Sequence, residues 1–575
     1  MLRCPCRTLQ LALTSQKPSQ NGRTGKPGDF AYFSIWSATR SRAGSSFKAA
    51  APSFQTLGIP LELLDTVERA FPHVVKPTES QIALIKAIVP TKTSNSVILR
   101  DVTGSGKSLA LLLALLSNKD LSRPFHKAKA RRQVKATRKK ASIEQILLVP
   151  HTELARQFEG WLDRLRMPPL EPVQETTTES QPDTDNGEMP VTQSTPNQLG
   201  TIPASSPFTP FPALRHTQVL YRGSKNQLDI STRFLITTPR YLVEILDSIA
   251  TDRLHTIALD EADEMLKLPN RFHTHKDEQK WLRHPPLLLT IMDELLSSSS
   301  SEASRDKRII AVSASANSVF RDYLVRRSGW LKGESTDKAS GNDREDRQFD
   351  WYDFSSDPIS STETRESPEL TELQRVGRTL MPKAGIKHFV ARVDNHGDVV
   401  DQATPLASEP EPSTSTPLDP NRFLVATAAV FALRQVERGL LLIPSTQSLQ
   451  ATLQFLEDLA VPAAPLADAF EASIKDDDPV LYVASVDAVR GVDIPKLEWV
   501  FITPDTKAQS DTKDYMHIAG RVGRLLDSTG TRGSGQIVNF VDASDERQYR
   551  KLAYVWQLLG IEGEALPFDE AVEVD

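Results

Sequence analysis

A glycine-rich turn between an apolar strand and an apolar helix constrains the fold of this chain more than any other feature. The apolar residues 97–99 lead into the run DVTGSGKS at 101–108, and residues 109–116 are all Leu or Ala. A strand, a turn and a helix N-terminus in this order direct backbone N–H groups and the positive end of a helix dipole at one point. Such a point suits a polyphosphate, so the sequence predicts a nucleotide site in an α/β domain.

Different residues of this turn are expected to make different contacts with a bound phosphate chain. Gly104 and Gly106 let the backbone approach a ligand because they carry no Cβ. We expect Lys107 against the β- and γ-phosphates and the Ser108 hydroxyl in the shell of a Mg²⁺ ion. Asp101 stands where the general pattern has a small residue. A chance Gly-Lys-Ser turn therefore stays open as the alternative.

Length and composition indicate several folded parts with extra segments. A chain of 575 residues is too long for one core, so two domains are expected. Its 39 prolines against 26 glycines favour long unstructured insertions. No apolar run approaches the roughly 20 residues needed to span a bilayer. The sequence therefore predicts no membrane span.

Charge is distributed unevenly along the chain. The net charge is −6, yet residues 1–150 carry 24 Lys and Arg against 8 Asp and Glu. Residues 1–50 hold eight basic residues, one acid and seven serines, a composition typical of an organellar transit peptide. A disordered basic tail is the alternative. Both cysteines, Cys4 and Cys6, lie there, which excludes disulfides and cysteine-based zinc sites from the predicted folded part.

Strands and helical patterns alternate through the first half, as a doubly wound α/β domain requires. Strands are predicted at 97–99, 146–149, 219–221, 234–237, 256–259 and 309–312. Insertions are predicted near 122–142 and 168–213. The first insertion contains nine Lys and Arg and no acid, which indicates contact with a phosphate backbone, with a solvated basic loop as the alternative.

Four residues at the end of one predicted strand add a second phosphate-directed signal. Asp260-Glu261-Ala262-Asp263 follows the strand at 256–259. The carboxyl end of a parallel strand lies at the sheet edge where ligands bind, together with the glycine-rich turn. Asp260 can hold Mg²⁺ through water, and Glu261 can orient or deprotonate an attacking water. The two signals together are more specific than either alone.

A second α/β set occupies the rest of the chain and has no glycine-rich turn of its own. Its strands are predicted at 387–390, 440–443, 480–483, 499–502 and 536–540. Residues 331–380 are charged and rich in Ser and Thr, so we predict a linker there. Residues 402–420 are predicted to be a loop insertion, and residues 561–575 an acidic tail.

Five motifs together resemble the DEAD-box family of ATP-dependent RNA helicases. They are Pro77-Thr78-Glu79-Ser80-Gln81, the Asp260–Asp263 tetrapeptide, Ser313-Ala314-Ser315, Arg490-Gly491-Val492-Asp493, and His517-Ile518-Ala519-Gly520-Arg521-Val522-Gly523-Arg524. The resemblance covers roughly residues 54–330 and 381–545. It implies an α/β protein with two tandem RecA-like doubly wound domains, at 51–330 and 381–560, and a cleft between them. It also implies ATP and Mg²⁺ as cofactors, RNA as partner and a monomer.

The resemblance assigns roles to individual residues. It implies catalytic roles for Lys107, Glu261, Arg521 and Arg524, the last two as arginine fingers that reach the γ-phosphate. Nucleotide contacts are implied for Gln81, Asp101, Val102, Thr103, Gly104, Ser105, Gly106, Lys107, Ser108 and Asp493, and metal contacts for Ser108 and Asp260. Coupling or RNA contacts are implied for Gly223, Pro239, Arg240, Ser313, Ser315, Arg490, Gly491 and His517, alongside the DEAD box Asp260, Glu261, Ala262 and Asp263.

The chain departs from the family pattern at three places. The family's Pro-Thr-Arg-Glu-Leu-Ala is here Pro150-His151-Thr152-Glu153-Leu154-Ala155, the family's Thr-Asp is Ser485-Val486, and the Arg after the motif His is Ile518. With the basic start and the insertions, this pattern is most similar to fungal mitochondrial members that act in mitochondrial RNA metabolism and large ribosomal subunit assembly. The resemblance therefore implies the mitochondrial matrix, mitochondrial rRNA and ribosome assembly intermediates.

Three functions remain open from the sequence. The first is an ATP-dependent RNA helicase or remodeller. The second is an ATP-binding RNA clamp with little turnover, which the residues Thr152, Val486 and Ile518 motivate. The third is a DNA-directed motor, which would share the same two-domain core.

Overall fold

Two mostly parallel β-sheets, each in its own lobe, form the framework of the protein. The structure is a computed structural model that describes residues 52–72, 74, 76–89, 95–101, 103–122, 140–168, 210–268, 274–297, 307–316, 318–331, 349–354, 385–400, 421–470, 478–522 and 535–567. The first lobe contains the described residues from 52 to 354, and the second those from 385 to 567. The predicted transit peptide, the basic run at 123–139 and the insertion at 402–420 lie outside the described residues.

The first lobe has a seven-stranded parallel sheet in the order β4-β5-β3-β7-β8-β1-β9. Its strands, with the small β2–β6 pair, are β1 (Ser96–Arg100), β2 (Ala141–Ser142), β3 (Gln145–Leu148), β4 (Thr217–Leu220), β5 (Phe234–Thr237), β6 (Ile249–Ala250), β7 (Thr256–Asp260), β8 (Arg308–Ser313) and β9 (Phe349–Asp353). All six strands predicted from the sequence are present.

The helices of the first lobe connect these strands. They are α1 (Leu61–Ala70), α2 (Glu79–Ile88), α3 (Lys107–Leu116), α4 (Lys119–Ser122), α5 (Thr152–Arg166), α6 (Pro212–Arg215), α7 (Pro239–Ile245), α8 (Ala262–Leu266), α9 (His275–Arg283), α10 (Leu287–Ser297) and α11 (Ser318–Asp322). Within the described ranges, no helix combines the length and apolar character that crossing a membrane requires.

The second lobe has a sheet in the order β11-β10-β16-β15-β12-β14-β13, with β17 also paired to β10. Its strands are β10 (Lys387–Val393), β11 (Val399–Val400), β12 (Arg438–Ile443), β13 (Ala463–Pro465), β14 (Val480–Ser485), β15 (Trp499–Ile502), β16 (Gln536–Asp542) and β17 (Glu564–Ala565). Its helices are α12 (Arg422–Leu433), α13 (Leu449–Asp458), α14 (Val486–Val489), α15 (Thr512–Ala519) and α16 (Glu546–Leu559). The five predicted strands are present here too, so the α/β class with two doubly wound sheets is confirmed.

Two segments predicted to lie outside the sheets contribute strands. Phe349–Asp353, within the predicted linker 331–380, pairs in parallel with β1 as an edge strand. Three of its five residues are aromatic, a composition that favours strands, and the Arg321 guanidinium stacks over Phe349 and Trp351. Glu564–Ala565, near the start of the predicted acidic tail, pairs with β10. The next residue, Leu566, is buried in the core of the second lobe and holds this strand in place.

Side chains on both faces of each sheet are buried, as expected for parallel strands. Val97 and Leu99 face one core, whereas Ile98 faces another. The core that contains Leu99 also contains Leu440 and Val492 from the second lobe. The two lobes therefore share one continuous apolar cluster.

A buried polar cluster ties α15 to the centre of the second lobe. The Tyr515 hydroxyl oxygen accepts from Asn539 Nδ2 at 3.1 Å and from Trp556 Nε1 at 2.8 Å, and it lies 2.9 Å from His388 Nδ1. With its oxygen taken by two donors, the hydroxyl donates its own hydrogen to neutral His388. Burial lowers the pKa of His388 to about 4.

This cluster predicts a pH dependence of stability. His388 has a folded-state pKa of about 4 against an ordinary 6.5, so between these values the unfolded chain binds a proton that the folded chain does not. The stabilisation is complete above about pH 6.5 and is lost as the pH falls towards 4, with a loss of about 2 kcal/mol at pH 5. Denaturant unfolding, followed by tryptophan fluorescence at pH 7 and at pH 5, measures this loss of unfolding free energy.

The matched variant is His388→Gln, which keeps a hydrogen-bonding side chain and does not titrate. We expect this variant to be less stable at pH 7 but to lose less stability between pH 7 and pH 5 than the wild type. Equal pH slopes in the two proteins would contradict the assignment to His388.

Candidate functional site

The glycine-rich turn connects β1 to α3 as predicted. Gly104 and Gly106 adopt left-handed backbone conformations, with φ of 83° and 78°. A Cβ at Gly106 would lie 2.3 Å from Gln81 Nε2, and the positive φ would strain any residue with a Cβ there. The Lys107 ammonium lies 3.5 Å from the Ser105 hydroxyl at the mouth of the turn.

Gln81 braces this turn from α2. Its Oε1 accepts from the Thr78 backbone N–H at 2.9 Å, and its Nε2 donates to the Gly106 carbonyl at 3.1 Å. The Thr78 hydroxyl in turn caps the helix at Gln81 N, which completes a capping box. The structure thus shows Gln81 as a support of the glycine-rich turn, while its contact with a base stays a prediction.

Two carboxylates at the end of β7 face the turn. Asp260 is 0% exposed, and burial together with the Glu261 carboxylate raises its pKa to about 7, although a Ser108 hydrogen bond and Lys107 oppose the shift. Burial lowers the pKa of Lys107, against the attraction of Glu261, Asp101 and Asp260. Glu261 adopts a left-handed conformation with φ of 50°, which is strained for a residue with a Cβ.

These residues fit a magnesium–polyphosphate group. Asp260 Oδ2 is buried and makes no hydrogen bond in the structure, so it is available to a cation or its water. Within the described residues, no cluster of three or more His, Cys, Asp or Glu could hold a metal alone. One carboxylate, the Ser108 hydroxyl and phosphate oxygens make the kind of partial shell that Mg²⁺ takes in nucleotide sites.

The second lobe brings Arg521 to the same place. Arg521 is 2% exposed. It donates from Nε to the His517 carbonyl at 3.2 Å and from Nη1 to the Val492 carbonyl at 2.9 Å. Its charge adds to the effect of burial in lowering the pKa of Lys107. Arg524 and Val102, also predicted site residues, lie outside the described residues. One predicted arginine finger is thus within electrostatic range of the predicted phosphate-binding lysine.

Gly520, next to Arg521, packs directly on the glycine-rich turn. A Cβ at Gly520 would lie 1.8 Å from the Thr103 hydroxyl oxygen and 2.8 Å from the Thr103 Cβ. Its own φ of −67° suits any residue. The glycine is therefore required by the contact between the lobes rather than by the local backbone.

Asp263 gathers donors from both lobes. Its two oxygens accept from the hydroxyls of Ser313 and Ser315, and Lys513 Nζ of the second lobe lies 2.6 Å from Oδ2. Burial by itself would raise the pKa of this carboxyl. The charge of Lys513 and the hydrogen bonds from Lys513 and Ser313 outweigh burial and lower it. Asp263 is therefore ionised at neutral pH.

The Arg490–Asp493 segment lies between the lobes. Arg490 makes ion pairs with Glu264 of the first lobe and Asp514 of the second. Gly491, with φ of 73°, packs against Leu154 and Glu261 of the first lobe, where a Cβ would come within 2.8 Å and 3.3 Å of their side chains. The carbonyl of Arg490 lies 2.5 Å from His151 Nε2 of the first lobe.

Asp493 and His517 complete the part of the site that the second lobe supplies. The Asp493 backbone N–H donates to Gln157 Oε1 of the first lobe at 2.7 Å, while the Asp493 side chain is exposed. Burial, aided by Lys513, Arg490 and Arg521, lowers the pKa of His517 well below its usual value, although Asp263 opposes the shift. His517 is therefore neutral at pH 7. The nucleotide contact of Asp493 stays a prediction.

Three predicted coupling residues lie along the same sheet edge, further from this cluster in the strand order. Gly223 follows β4, and Pro239 and Arg240 open α7 after β5. A side chain at Gly223 would meet no atom within 4 Å, and Arg240 is exposed. Their RNA contacts stay predictions.

Sequence reasoning missed three residues that join the lobes: His151, Gln157 and Lys513. Thr103 is predicted from the sequence as a nucleotide contact, but its contact with Gly520 is not. In the sequence, His151 is notable only as part of a departure from the family pattern. Lys513 and Gln157 stand in amphipathic helices where nothing in the pattern distinguishes them from surface or core residues. Their partners are distant in the sequence, so no local signal could have indicated these contacts.

The close approach of Gly520 to Thr103 predicts the effect of one methyl group. Gly520→Ala should keep both lobes folded, because its backbone conformation is allowed, but should push them apart, since the new Cβ would overlap the Thr103 side chain. Small-angle X-ray scattering should show a larger radius of gyration with an unchanged circular dichroism spectrum. Gly160→Ala is the matched control, because its Cβ would lie an ordinary 3.4 Å from the Phe470 carbonyl across the same interface. An unchanged radius for Gly520→Ala would show that the contact is absent in solution.

Comparisons with known proteins agree with this geometry. No family model matches the chain. The chain is 34% identical over 118 residues to "DEAD-box ATP-dependent RNA helicase 47, mitochondrial" of Arabidopsis thaliana, a stretch that spans 20% of this chain and 20% of that protein. It is 30% identical over 119 residues to "DEAD-box ATP-dependent RNA helicase 47A" of Oryza sativa subsp. japonica, which covers 20% of this chain and 19% of the relative.

Solved structures resemble the whole of the two-lobed body. Dbp5 of S. cerevisiae, bound to RNA and ADP BeF3, matches with a TM-score of 0.52 at 16% identity over 90% of this chain and 96% of that one. The DEAD-box helicase Mss116, bound to ssRNA and UDP-BeF, matches with a TM-score of 0.51 at 14% identity over 90% of this chain and 81% of that one. The structural likeness shows that the fold is two tandem RecA-like domains, and the sequence likeness supports the resemblance to DEAD-box RNA helicases.

Proposed function

We propose that this protein is an ATP-dependent RNA helicase, an RNA-stimulated ATPase that remodels RNA or RNA–protein complexes. One observation carries the proposal: Lys107 of the first lobe and Arg521 of the second lie in one buried cluster with the carboxylates Asp260 and Glu261. Neither lobe has this cluster by itself. A reaction at this point therefore depends on the approach of the two lobes.

The residues of the cluster suit hydrolysis of a triphosphate. The backbone of the glycine-rich turn and Lys107 would hold the phosphates, and Ser108 with Asp260 would hold the ion. A bound Mg²⁺ would supply neutralising charge for the phosphoryl group. Glu261 is placed to orient or deprotonate the attacking water. Arg521 would stabilise charge that develops on the phosphoryl oxygens, with Arg524 as a predicted second finger.

Coupling to RNA follows from a site divided between two lobes. Closure that brings Arg521 to Lys107 also fixes the sheet edges of both lobes relative to each other. RNA that contacts both edges through phosphates and 2′-hydroxyls favours closure and is favoured by it. A duplex strand that must bend to fit the closed cleft loses base pairs locally, and hydrolysis then reopens the cleft. Relatives solved with RNA and a nucleotide analogue support this proposal.

We further propose action in the mitochondrial matrix, in RNA metabolism and most specifically in assembly of the large ribosomal subunit, with mitochondrial rRNA as partner. The basic, serine-rich start of the chain supports mitochondrial import. The Arabidopsis relative named mitochondrial agrees with it. The ribosomal role rests on the resemblance noted from the insertions and the departures from the family pattern.

A second candidate is an ATP-dependent RNA clamp that turns over slowly. Two positions where the family has polar residues, Val486 and Ile518, are buried in the apolar cluster shared by the lobes. Their side chains stabilise packing of the lobes but provide no polar link to RNA. A closed state that forms well and opens slowly would act as a clamp.

Two substitutions test the proposed activity. Lys107→Ala and Glu261→Gln should each lower the RNA-stimulated ATPase rate by about 100-fold or more, because one removes a phosphate contact and the other the group that activates water. Lys119→Ala, an exposed lysine just beyond α3, is the matched control and should be unaffected. Phosphate release assays with and without RNA measure this.

The outcomes separate the candidate functions. A wild-type ATPase rate that no RNA changes would contradict the helicase proposal. Strand displacement with a single turnover per protein would favour the clamp, and equal stimulation by DNA would favour a DNA-directed motor.

The basic run near 122–142 gives an independent prediction. Replacing its nine Lys and Arg by Gln should weaken RNA binding and flatten its salt dependence, since each lost phosphate contact reduces the slope of log K against log salt by about 0.7. Fluorescence anisotropy titrations from low to high salt measure the slope. The same number of substitutions among surface glutamines and asparagines to alanine provides the control. A slope equal to that of the wild type would show that the run does not contact RNA.

A further inference from the structure

His151, in the first lobe, makes a contact through each nitrogen of its ring. One contact is within its own lobe, and the other reaches the second lobe. Nδ1 accepts the Leu154 backbone N–H at 3.3 Å and so caps α5, while Nε2 lies 2.5 Å from the Arg490 carbonyl oxygen. The Glu153 Oε2 atom also lies 3.3 Å from Nδ1. With Nδ1 accepting from Leu154, the hydrogen that faces the Arg490 carbonyl is on Nε2. One side chain therefore starts a helix in one lobe and bonds to the backbone of the other.

The residue type matters for this link. The family pattern has Thr where this chain has His151. A threonine hydroxyl would cap α5 as well, since Thr is a good N-cap residue, but it is too short to reach the second lobe at the same time. The substitution in this chain thus keeps the cap and adds a contact between the lobes.

Lys513 makes the reciprocal contact. It extends from α15 of the second lobe and places Nζ 2.6 Å from Asp263 Oδ2 of the first lobe. The Asp263 carboxylate is buried, so a cation beside it offsets a large desolvation cost. On the same helix Ile518, where the family has Arg, is buried among apolar side chains. Lys513 is therefore the cation that α15 presents to the DEAD-box carboxylate in this chain.

A neighbouring contact shows that α5 and the Arg490–Asp493 segment fit closely. Gln157, two turns from His151 on α5, accepts the Asp493 backbone N–H at 2.7 Å. Leu154 lies between them and packs on Gly491. The segment that carries Arg490 is thus held along one face of α5, and His151 is the bond at its end.

We propose that His151 with Arg490, and Lys513 with Asp263, form a lobe latch that stabilises the closed arrangement. His151 and Lys513 are positioning residues: they hold the segments that carry the catalytic groups. This rests on the proposed RNA-dependent ATPase. The latch sets how much RNA is needed to close the lobes, while the closed site hydrolyses ATP at its usual rate.

Two substitutions remove the latch with little effect on folding. His151→Thr keeps the helix cap and loses the bond to Arg490, and Lys513→Met keeps the length of the side chain and loses its charge. We expect the RNA concentration for half-maximal ATPase to rise about threefold to tenfold for His151→Thr and about tenfold or more for Lys513→Met. The kcat at saturating RNA should change less than about twofold.

The matched control is Lys507→Met. Lys507 is an exposed lysine of the second lobe that pairs with Asp487 at 3.3 Å within the same lobe. Its substitution removes the same charge and should leave both kinetic parameters unchanged. A loss of folded protein in any variant would appear as a lower melting temperature and a lower kcat, without the rise in KM for RNA.

A distance reporter measures closure directly. Cysteine occurs in this chain only at positions 4 and 6, so Cys4→Ser with Cys6→Ser gives a cysteine-free background. Dyes are then attached at Glu244→Cys and Lys551→Cys, two exposed helical positions in different lobes. Energy transfer is followed as poly(U) RNA is added with ADP–beryllium fluoride. The latch variants should reach the wild-type end point only at a correspondingly higher RNA concentration.

Unchanged KM and unchanged closure in both latch variants would overturn the proposal, and so would a fall in kcat with KM unchanged. Failure of the proposed function gives a different result, because the wild type itself would then show neither RNA-stimulated ATPase nor closure. In that case small-angle scattering of the free chain decides: a larger radius of gyration for His151→Thr and Lys513→Met supports the latch, and an unchanged radius overturns it.

Discussion

The packing of the two lobes places two buried basic side chains, Lys107 and Arg521, within electrostatic range of each other. The two side chains repel each other and come from different lobes. Both are buried; burial is the main cause of the lowered pKa of Lys107, and the charge of Arg521 adds to it. The carboxylates of Asp101, Asp260 and Glu261 offset it. A negatively charged polyphosphate would be attracted to both cations, so the arrangement is suited to a ligand that the lobes share.

Apolar packing makes this charge arrangement possible. The inner faces of both sheets contribute to one cluster, in which Leu99 and Leu154 of the first lobe are continuous with Leu440 and Val492 of the second. Gly491 and Gly520 lie at close contacts between the lobes, and at both positions a Cβ would overlap a side chain of the other lobe. Close packing and the absence of two side chains therefore determine how near Arg521 comes to Lys107.

Local features of the chain could be predicted from the sequence, and contacts between distant segments could not. The strand, turn and helix around Lys107 are encoded within about twenty neighbouring residues, and every predicted strand is present. The strand Phe349–Asp353 was missed because it lies in a charged segment and is stabilised by pairing with β1, about 250 residues earlier. His151 and Arg490 are 339 residues apart, so their bond follows from the packing of two complete domains.

Two carboxylates three residues apart show how the site can couple ligand binding to closure. Burial and Glu261 raise the pKa of Asp260, so that a divalent cation beside it would stabilise the ionised form. The pKa of Asp263 is already lowered, because Lys513 reaches it from the second lobe and two serines donate to it. In the proposed mechanism Asp260 would respond to a bound magnesium–polyphosphate group, whereas Asp263 would respond to the position of Lys513 on the other lobe. Since α8 begins between them, the proposed mechanism would use this short turn to transmit a shift at one carboxylate to the other.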